Sequence, residues 1–136
     1  MARLQQQAAA DDVVARLGGD EFIITGGDCT DRANCERAAL DLAERLLARL
    51  KETYVVDKHH LYISASIGAS IISDRGANAG TFIKEADIAM YEVKAQGRDG
   101  VFMFNEDMAA RVESRLEIER LLHFALPNGE ISLDYQ

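Results

Sequence analysis

Apolar positions along the chain alternate between a period of two and a period of three to four. Val13-Val14 and Phe22-Ile23-Ile24 are short apolar runs on either side of Arg16-Leu17-Gly18-Gly19-Asp20-Glu21. This pattern predicts strands over residues 13–17 and 22–25 joined by a tight turn. Ala39, Leu40, Ala43, Leu46, Leu47 and Leu50 then recur at helical spacing and predict an amphipathic helix over 34–52, with Asp31 or Asn34 as its cap. Residues 54–56 and 61–72 read as strands around a turn at Asp57-Lys58-His59-His60. In the second of these, Leu61, Ile63, Ala65, Ile67, Ala69 and Ile71 alternate with Tyr62, Ser64, Ser66, Gly68 and Ser70.

A loop over 76–80 leads to a second amphipathic helix, 81–96, whose stripe is Phe82, Ile83, Ala86, Ala89, Met90 and Val93. Gly97 is placed to end it. A strand over 100–104 follows. A third helix, capped by Asn105, runs to Ala125 and ends at Pro127-Asn128-Gly129, and residues 130–135 alternate as a last strand. Residues 2–10 are strong helix formers with little to bury and read as the tail of a helix.

Composition changes the picture modestly. The chain has 136 residues, 48% of them hydrophobic and 28% charged, which suits a globular domain. A net charge of −8 argues against a general nucleic-acid or anionic-membrane surface. No apolar run approaches the roughly 20 residues of a membrane span. Cys29 and Cys35 have no Cys or His at metal spacing. They are expected to be reduced thiols in a cytoplasmic protein. His59 and His60 are expected to be solvated turn residues.

The candidate chemistry sits in two places. The first is the turn at Gly18-Gly19-Asp20-Glu21, where two carboxylates stand beside backbone that glycine leaves open. A hard divalent cation and a phosphorylated ligand need that combination. Gly and Asp are equally the residues of an ordinary solvated turn. The second is Lys94 and Arg98, four apart, which share one face if the helix persists through Gly97. They would equally stabilise a helix C-terminus.

The string Gly18-Gly19-Asp20-Glu21-Phe22, preceded by Arg16-Leu17, resembles the signature of the GGDEF family of diguanylate cyclase domains. A second pattern of that family is matched by Asp87, Ala89, Met90, Tyr91, Lys94, Gly97 and Arg98, and the strand Ala65-Ser66-Ile67-Gly68 is also similar. The resemblance spans residues 2–104. It implies an α+β fold, a ferredoxin-like or nucleotide-cyclase-like antiparallel-rich sheet with packed helices. It also implies condensation of two GTP into cyclic di-GMP with release of pyrophosphate. Asp20 would bind Mg²⁺ or Mn²⁺ and help activate a ribose 3′-hydroxyl, and Glu21 would support it. Gly18 and Gly19 would admit the nucleotide, and Lys94 and Arg98 would hold its triphosphate. Each domain would hold one GTP, so a homodimer is implied.

Residues 116–136 resemble the entry to an EAL phosphodiesterase domain. The expected organisation is a GGDEF domain over 1–104, a linker helix over 105–127 and the opening strand of an EAL domain over 128–136, with that domain in cis. The family's first, central strand and its guanine-reading helix have no match here. The chain alone is therefore expected to be a poor cyclase with unpaired sheet edges, prone to segment-swapped oligomers. Asp12 matches the Asp of the family's Arg-x-x-Asp inhibition site, but Ala9 stands at the Arg position, so no feedback inhibition is expected there. The rival readings are a GTP-binding regulatory module that controls the EAL half and a domain used only for dimerisation.

Overall fold

The computed structural model describes residues 2–27, 31–73, 78–125 and 127–132. The chain divides into two compact units, Met1–Phe104 and Asn105–Gln136. The first holds helices α1 (Ala2–Gln5), α2 (Arg32–Lys51) and α3 (Ala79–Ala95), and strands β1 (Val13–Gly18), β2 (Glu21–Thr25), β3 (Tyr54–Val56), β4 (His59–Leu61), β5 (Ser66–Ala69) and β6 (Gly100–Met103). The second is α4 (Glu106–Ala125) and the residues after it. The fold is mixed α+β, as the sequence implies.

The core lies where α2 and α3 pack against the parallel pair β5–β6. Ala43 and Leu46 of α2 and Ala89 and Val93 of α3 are buried there, all of them members of the predicted helical stripes. The helix starts are capped as their residue types dictate. The Asp31 carboxylate accepts from the Asn34 amide at 2.9 Å, and the Asn78 side chain accepts from the Gly80 amide at 2.9 Å. In the second unit the Asn105 side chain accepts from the Met108 amide at 3.1 Å. The close fit of β5 on α3 depends on Gly68. A Cβ there would lie 1.9 Å from the Ala86 carbonyl oxygen and 2.3 Å from the Met90 nitrogen.

Arg3 ties the first helix to the end of α2. Its guanidinium donates to the carbonyls of Arg49 (3.2 Å), Glu52 and Thr53 (2.8 Å). It also stacks 3.6 Å above the centroid of the Tyr54 ring. These carbonyls end the helix, so they have no acceptor role within it, and one planar cation satisfies three.

Among the described residues the strands form three two-stranded sheets, β1–β2, β3–β4 and β5–β6, which leaves the unpaired edges expected of a sheet without its central strand. Several other expectations are corrected. The long strand expected over 61–72 is divided. Its first residue pairs in β4, residues 62–65 pair with nothing among the described residues, and Ser66–Ala69 pairs with β6. Alternation marks a strand only where a neighbour completes its ladder. In the stretch left out the apolar face lacks full cover, with Ile63 49% exposed. His59 and His60 belong to β4, not to the turn, and are exposed as expected. The turn itself is Asp57-Lys58, with Asp57 at φ 54°.

Helix α3 begins at Ala79, so residues 79–80 of the expected loop are helical, and Gly76 lies outside the described residues. Residues 130–132 are not a strand and find no partner strand among the described residues, and 133–136 lie outside the described residues. Cys35 is in a disulfide rather than free. The compartment argument from sequence concerns redox poise and says nothing of whether the fold brings two thiols within bonding distance. Cys29 lies outside the described residues. Among the described residues, no helix is long and apolar enough to cross a membrane.

Candidate functional site

The first half of the site is the β1–β2 turn. The antiparallel register pairs Arg16 with Phe22 and Gly18 with Glu21, with a bulge at Leu17 between them. The bulge adds a residue to one strand and bends it, which turns the tip out of the ladder. Gly19 takes φ 52°, the left-handed conformation that glycine adopts without steric cost. Arg16 holds that conformation from the side: its Nε and Nη2 both donate to the Gly19 carbonyl, at 3.0 and 2.6 Å.

Asp20 and Glu21 follow and are exposed. Neither carboxylate has a hydrogen-bond or ion-pair partner among the described residues. A Cβ added at Gly18 or Gly19 would meet nothing within 4 Å, so there is open space beside both. Bare carboxylates next to open backbone can take a cation together with the phosphates it carries. Among the described residues the hairpin has no extensive packing against another element, and Val13 and Leu17 are each 61% exposed.

The second half is the end of α3. Lys94 lies in its last turn and Arg98 just beyond. The helix stops at Ala95, and Gly97 takes φ 109° while the Arg98 amide donates back to the Val93 carbonyl at 2.9 Å. That is the closing bond of a Schellman cap. Gly97 thus ends the helix, as its position in the sequence suggests, and the condition under which Lys94 and Arg98 would share one helical face is not met. Arg98 and Asp99 continue in the left-handed region at φ 67° and 58°. The Lys94 and Arg98 side chains are exposed, and neither has an ion-pair partner among the described residues.

The two halves lie in one compact unit, and no hydrogen bond or ion pair joins them among the described residues. Nor does any group of three or more His, Cys, Asp or Glu stand close enough to hold a metal ion by itself, among the described residues. Asp12 is engaged locally: its carboxylate accepts from the Ala9 amide at 2.7 Å and packs on Gly26. Two contributors were not singled out for a role in the sequence. Arg16 is signalled only by its place two residues before the glycines. Lys51, on α2, pairs with Asp99 at 2.7 Å across 48 residues, a separation that leaves no local pattern.

Comparisons with known proteins follow the same division. The family described as "Diguanylate cyclase, GGDEF domain" matches residues 1–100. The bifunctional diguanylate cyclase/cyclic di-GMP phosphodiesterase MucR of Pseudomonas aeruginosa is 35% identical over 134 residues, which is 98% of this chain and 19% of MucR. The cyclic di-GMP phosphodiesterase PdeR of Escherichia coli is 33% identical over 127 residues, 93% of this chain and 18% of PdeR.

Among solved structures, the GGDEF domain of TpbB (YfiN) from P. aeruginosa matches with a TM-score of 0.72 at 24% identity, over 82% of this chain and 63% of that one. An EAL/GGDEF domain protein from M. capsulatus matches with a TM-score of 0.64 at 29% identity, over 76% and 64%. The chain spans under a fifth of the length of these two curated relatives.

Proposed function

This chain belongs to the GGDEF family, and we propose that it is the nucleotide-binding part of a diguanylate cyclase domain, joining two GTP into cyclic di-GMP. The observation that carries the reading is a pair of acids on an open turn and a pair of cations at the end of α3, in one compact unit, whose side chains have no partner among the described residues.

Asp20, supported by Glu21, offers hard carboxylate oxygens to Mg²⁺ or Mn²⁺. One or two carboxylates completed by phosphate oxygens and water is the donor set such an ion takes. When bound, the ion supplies neutralisation of phosphate charge and acidifies a coordinated hydroxyl. Gly18 and Gly19 leave room for the nucleotide. Arg98 forks onto phosphate oxygens and Lys94 acts as a point charge on the same triphosphate.

The 3′-oxygen of one GTP bonds to the α-phosphorus of the other. The bond from that phosphorus to the bridging oxygen breaks, and pyrophosphate leaves. The proton of the hydroxyl passes to a carboxylate at the hairpin tip. The same exchange in reverse roles closes the ring. Such chemistry asks the protein for alignment and charge rather than for a covalent intermediate.

One nucleotide per domain requires two domains face to face, so the active form is a homodimer or a segment-swapped oligomer in the cytoplasm, where GTP is found. In the parent polypeptide, residues 1–104 form the GGDEF domain, 105–127 a linker helix and 128–136 the entry to an EAL domain in cis.

The test is incubation of this chain, and of its parent polypeptide, with GTP and Mg²⁺ or Mn²⁺, assayed for cyclic di-GMP and pyrophosphate. The reading expects GTP binding with little turnover by the chain alone, product from the parent, and none after Asp20→Ala in the parent. GTP binding without product from the parent would move the reading to a regulatory module that controls an attached EAL phosphodiesterase. The name of PdeR, a cyclic di-GMP phosphodiesterase, favours that second reading.

A further inference from the structure

The turn after α3 places a carboxylate next to the cation that the proposed function needs free. Gly97, Arg98 and Asp99 are three consecutive residues in the left-handed region, at φ 109°, 67° and 58°. Two of them carry side chains, and left-handed backbone is disfavoured for such residues, less so for Asp than for Arg. Pairing of Gly100 with Ser66 anchors the turn on one side and the Arg98-to-Val93 hydrogen bond on the other. Arg98 and Asp99 are thus adjacent on a short, fixed turn, which puts opposite charges one residue apart. They do not pair. The Asp99 carboxylate is taken by Lys51, the last residue of α2, at 2.7 Å. Arg98 has no ion-pair partner among the described residues.

We propose that Lys51 is a positioning residue: by engaging Asp99 it keeps that carboxylate off Arg98 and leaves the guanidinium open to a triphosphate. The proposal rests on the reading of Lys94 and Arg98 as phosphate-binding cations and adds a third, indirect cation from another helix. Without Lys51, the carboxylate would compete with phosphate for Arg98 and would add a negative charge beside a polyanionic ligand. Both effects weaken binding. The pair is about half exposed, at 48% and 41% for the two side chains, so solvent and salt moderate its effect.

The test measures the affinity of the chain for GTP in the presence of Mg²⁺, by calorimetry, for a small set of variants whose folding is checked by circular dichroism. Lys51→Met is expected to weaken binding about two- to fivefold, the upper part of the range for an exposed ion pair. Asp99→Asn, which keeps a residue tolerant of left-handed backbone, is expected to bind as the wild type does. The double variant K51M/D99N is expected to recover wild-type affinity. A clamp that merely held the turn would give the opposite result, since Asp99→Asn breaks the pair as surely as Lys51→Met does. Lys58→Met, on the β3–β4 turn, removes the same charge elsewhere and should leave affinity unchanged.

The proposal is overturned if K51M binds normally, if D99N alone weakens binding, if the double variant stays weak, or if K58M weakens binding as K51M does. In those cases a loss in Arg98→Ala shows that the phosphate-binding reading still stands. If wild type does not bind GTP, or Arg98→Ala binds as well as wild type, both the reading and the proposal fall.

Discussion

Replacing Arg3 with Met keeps the length and apolar stem of the side chain and removes its charged fork. Three carbonyls at the end of α2, those of Arg49, Glu52 and Thr53, then lose their donor. The Tyr54 ring loses the cation 3.6 Å from its centroid. A hydrogen bond from a charged donor contributes about 1.5–3 kcal/mol when sheltered, and less at a partly exposed site where water can replace it. Carbonyls that water can reach recover much of the loss, so the three bonds together are worth about 1–2 kcal/mol. Stacking on the ring adds about 0.5–1 kcal/mol. The cation also sits at the negative end of the α2 dipole.

The sum is about 2 kcal/mol, which for a domain of this size lowers Tm by about 7 °C. Arg3→Lys keeps a point charge without the fork and should lose about half as much. Tyr54→Leu should lose only the stacking part, and the double variant with R3M should show that the two losses overlap. Urea denaturation followed by circular dichroism reads all four. A loss below about 0.5 kcal/mol for R3M, the size of an ordinary surface change, would refute the account of Arg3 as the closing element of α2.

Gly68→Ala is expected to be far more damaging, because its Cβ would meet backbone atoms of α3 at 1.9 and 2.3 Å, and backbone cannot step aside as a side chain can. A cost above about 3 kcal/mol is expected, read as loss of cooperative unfolding, and a Tm near that of wild type would contradict the packing described. In α4, the hydrogen bond from Arg120 holds the Glu117 carboxyl below its usual carboxylate range, and the charge of Arg120 adds to this. A depressed acid stabilises the fold above its unfolded pKa, and that contribution disappears as pH falls through the lower, folded value. The helical signal of wild type should therefore exceed that of Glu117→Gln at neutral pH and converge with it in acid. A difference that persists at the lowest pH would show that the pair is not the cause.

What could be read in the sequence was what local chemistry determines. The β1–β2 hairpin, the α2 and α3 stripes and the caps at Asp31 and Asn105 all rest on residues within a few positions of each other. The acids at 20 and 21 and the cations at 94 and 98 stood out only through the resemblance to a family pattern, because residues of those types are common at turns and helix ends. What was missed depends on distant partners. Nothing within residues 61–72 says that only Ser66–Ala69 would find a neighbouring strand. Arg3 and Tyr54, like Lys51 and Asp99, are brought together by the packing of whole helices. The left-handed run at Gly97, Arg98 and Asp99 was half visible, since the glycine is a signal and the two residues after it are not.

The hairpin that carries Asp20 and Glu21 and the core that carries Lys94 and Arg98 draw their stability from different contacts. The first rests on its own ladder, the second on helices packed over β5–β6. Backbone amides of β1 and β2 should accordingly exchange with solvent by opening of the hairpin alone, while those of α3 wait for the core to unfold. A ligand that bridges acids and cations would bind only the closed arrangement and make the two open together. Slowed amide exchange in β1 and β2, with little change in α3, would then be the earliest sign of nucleotide binding, visible before any product forms.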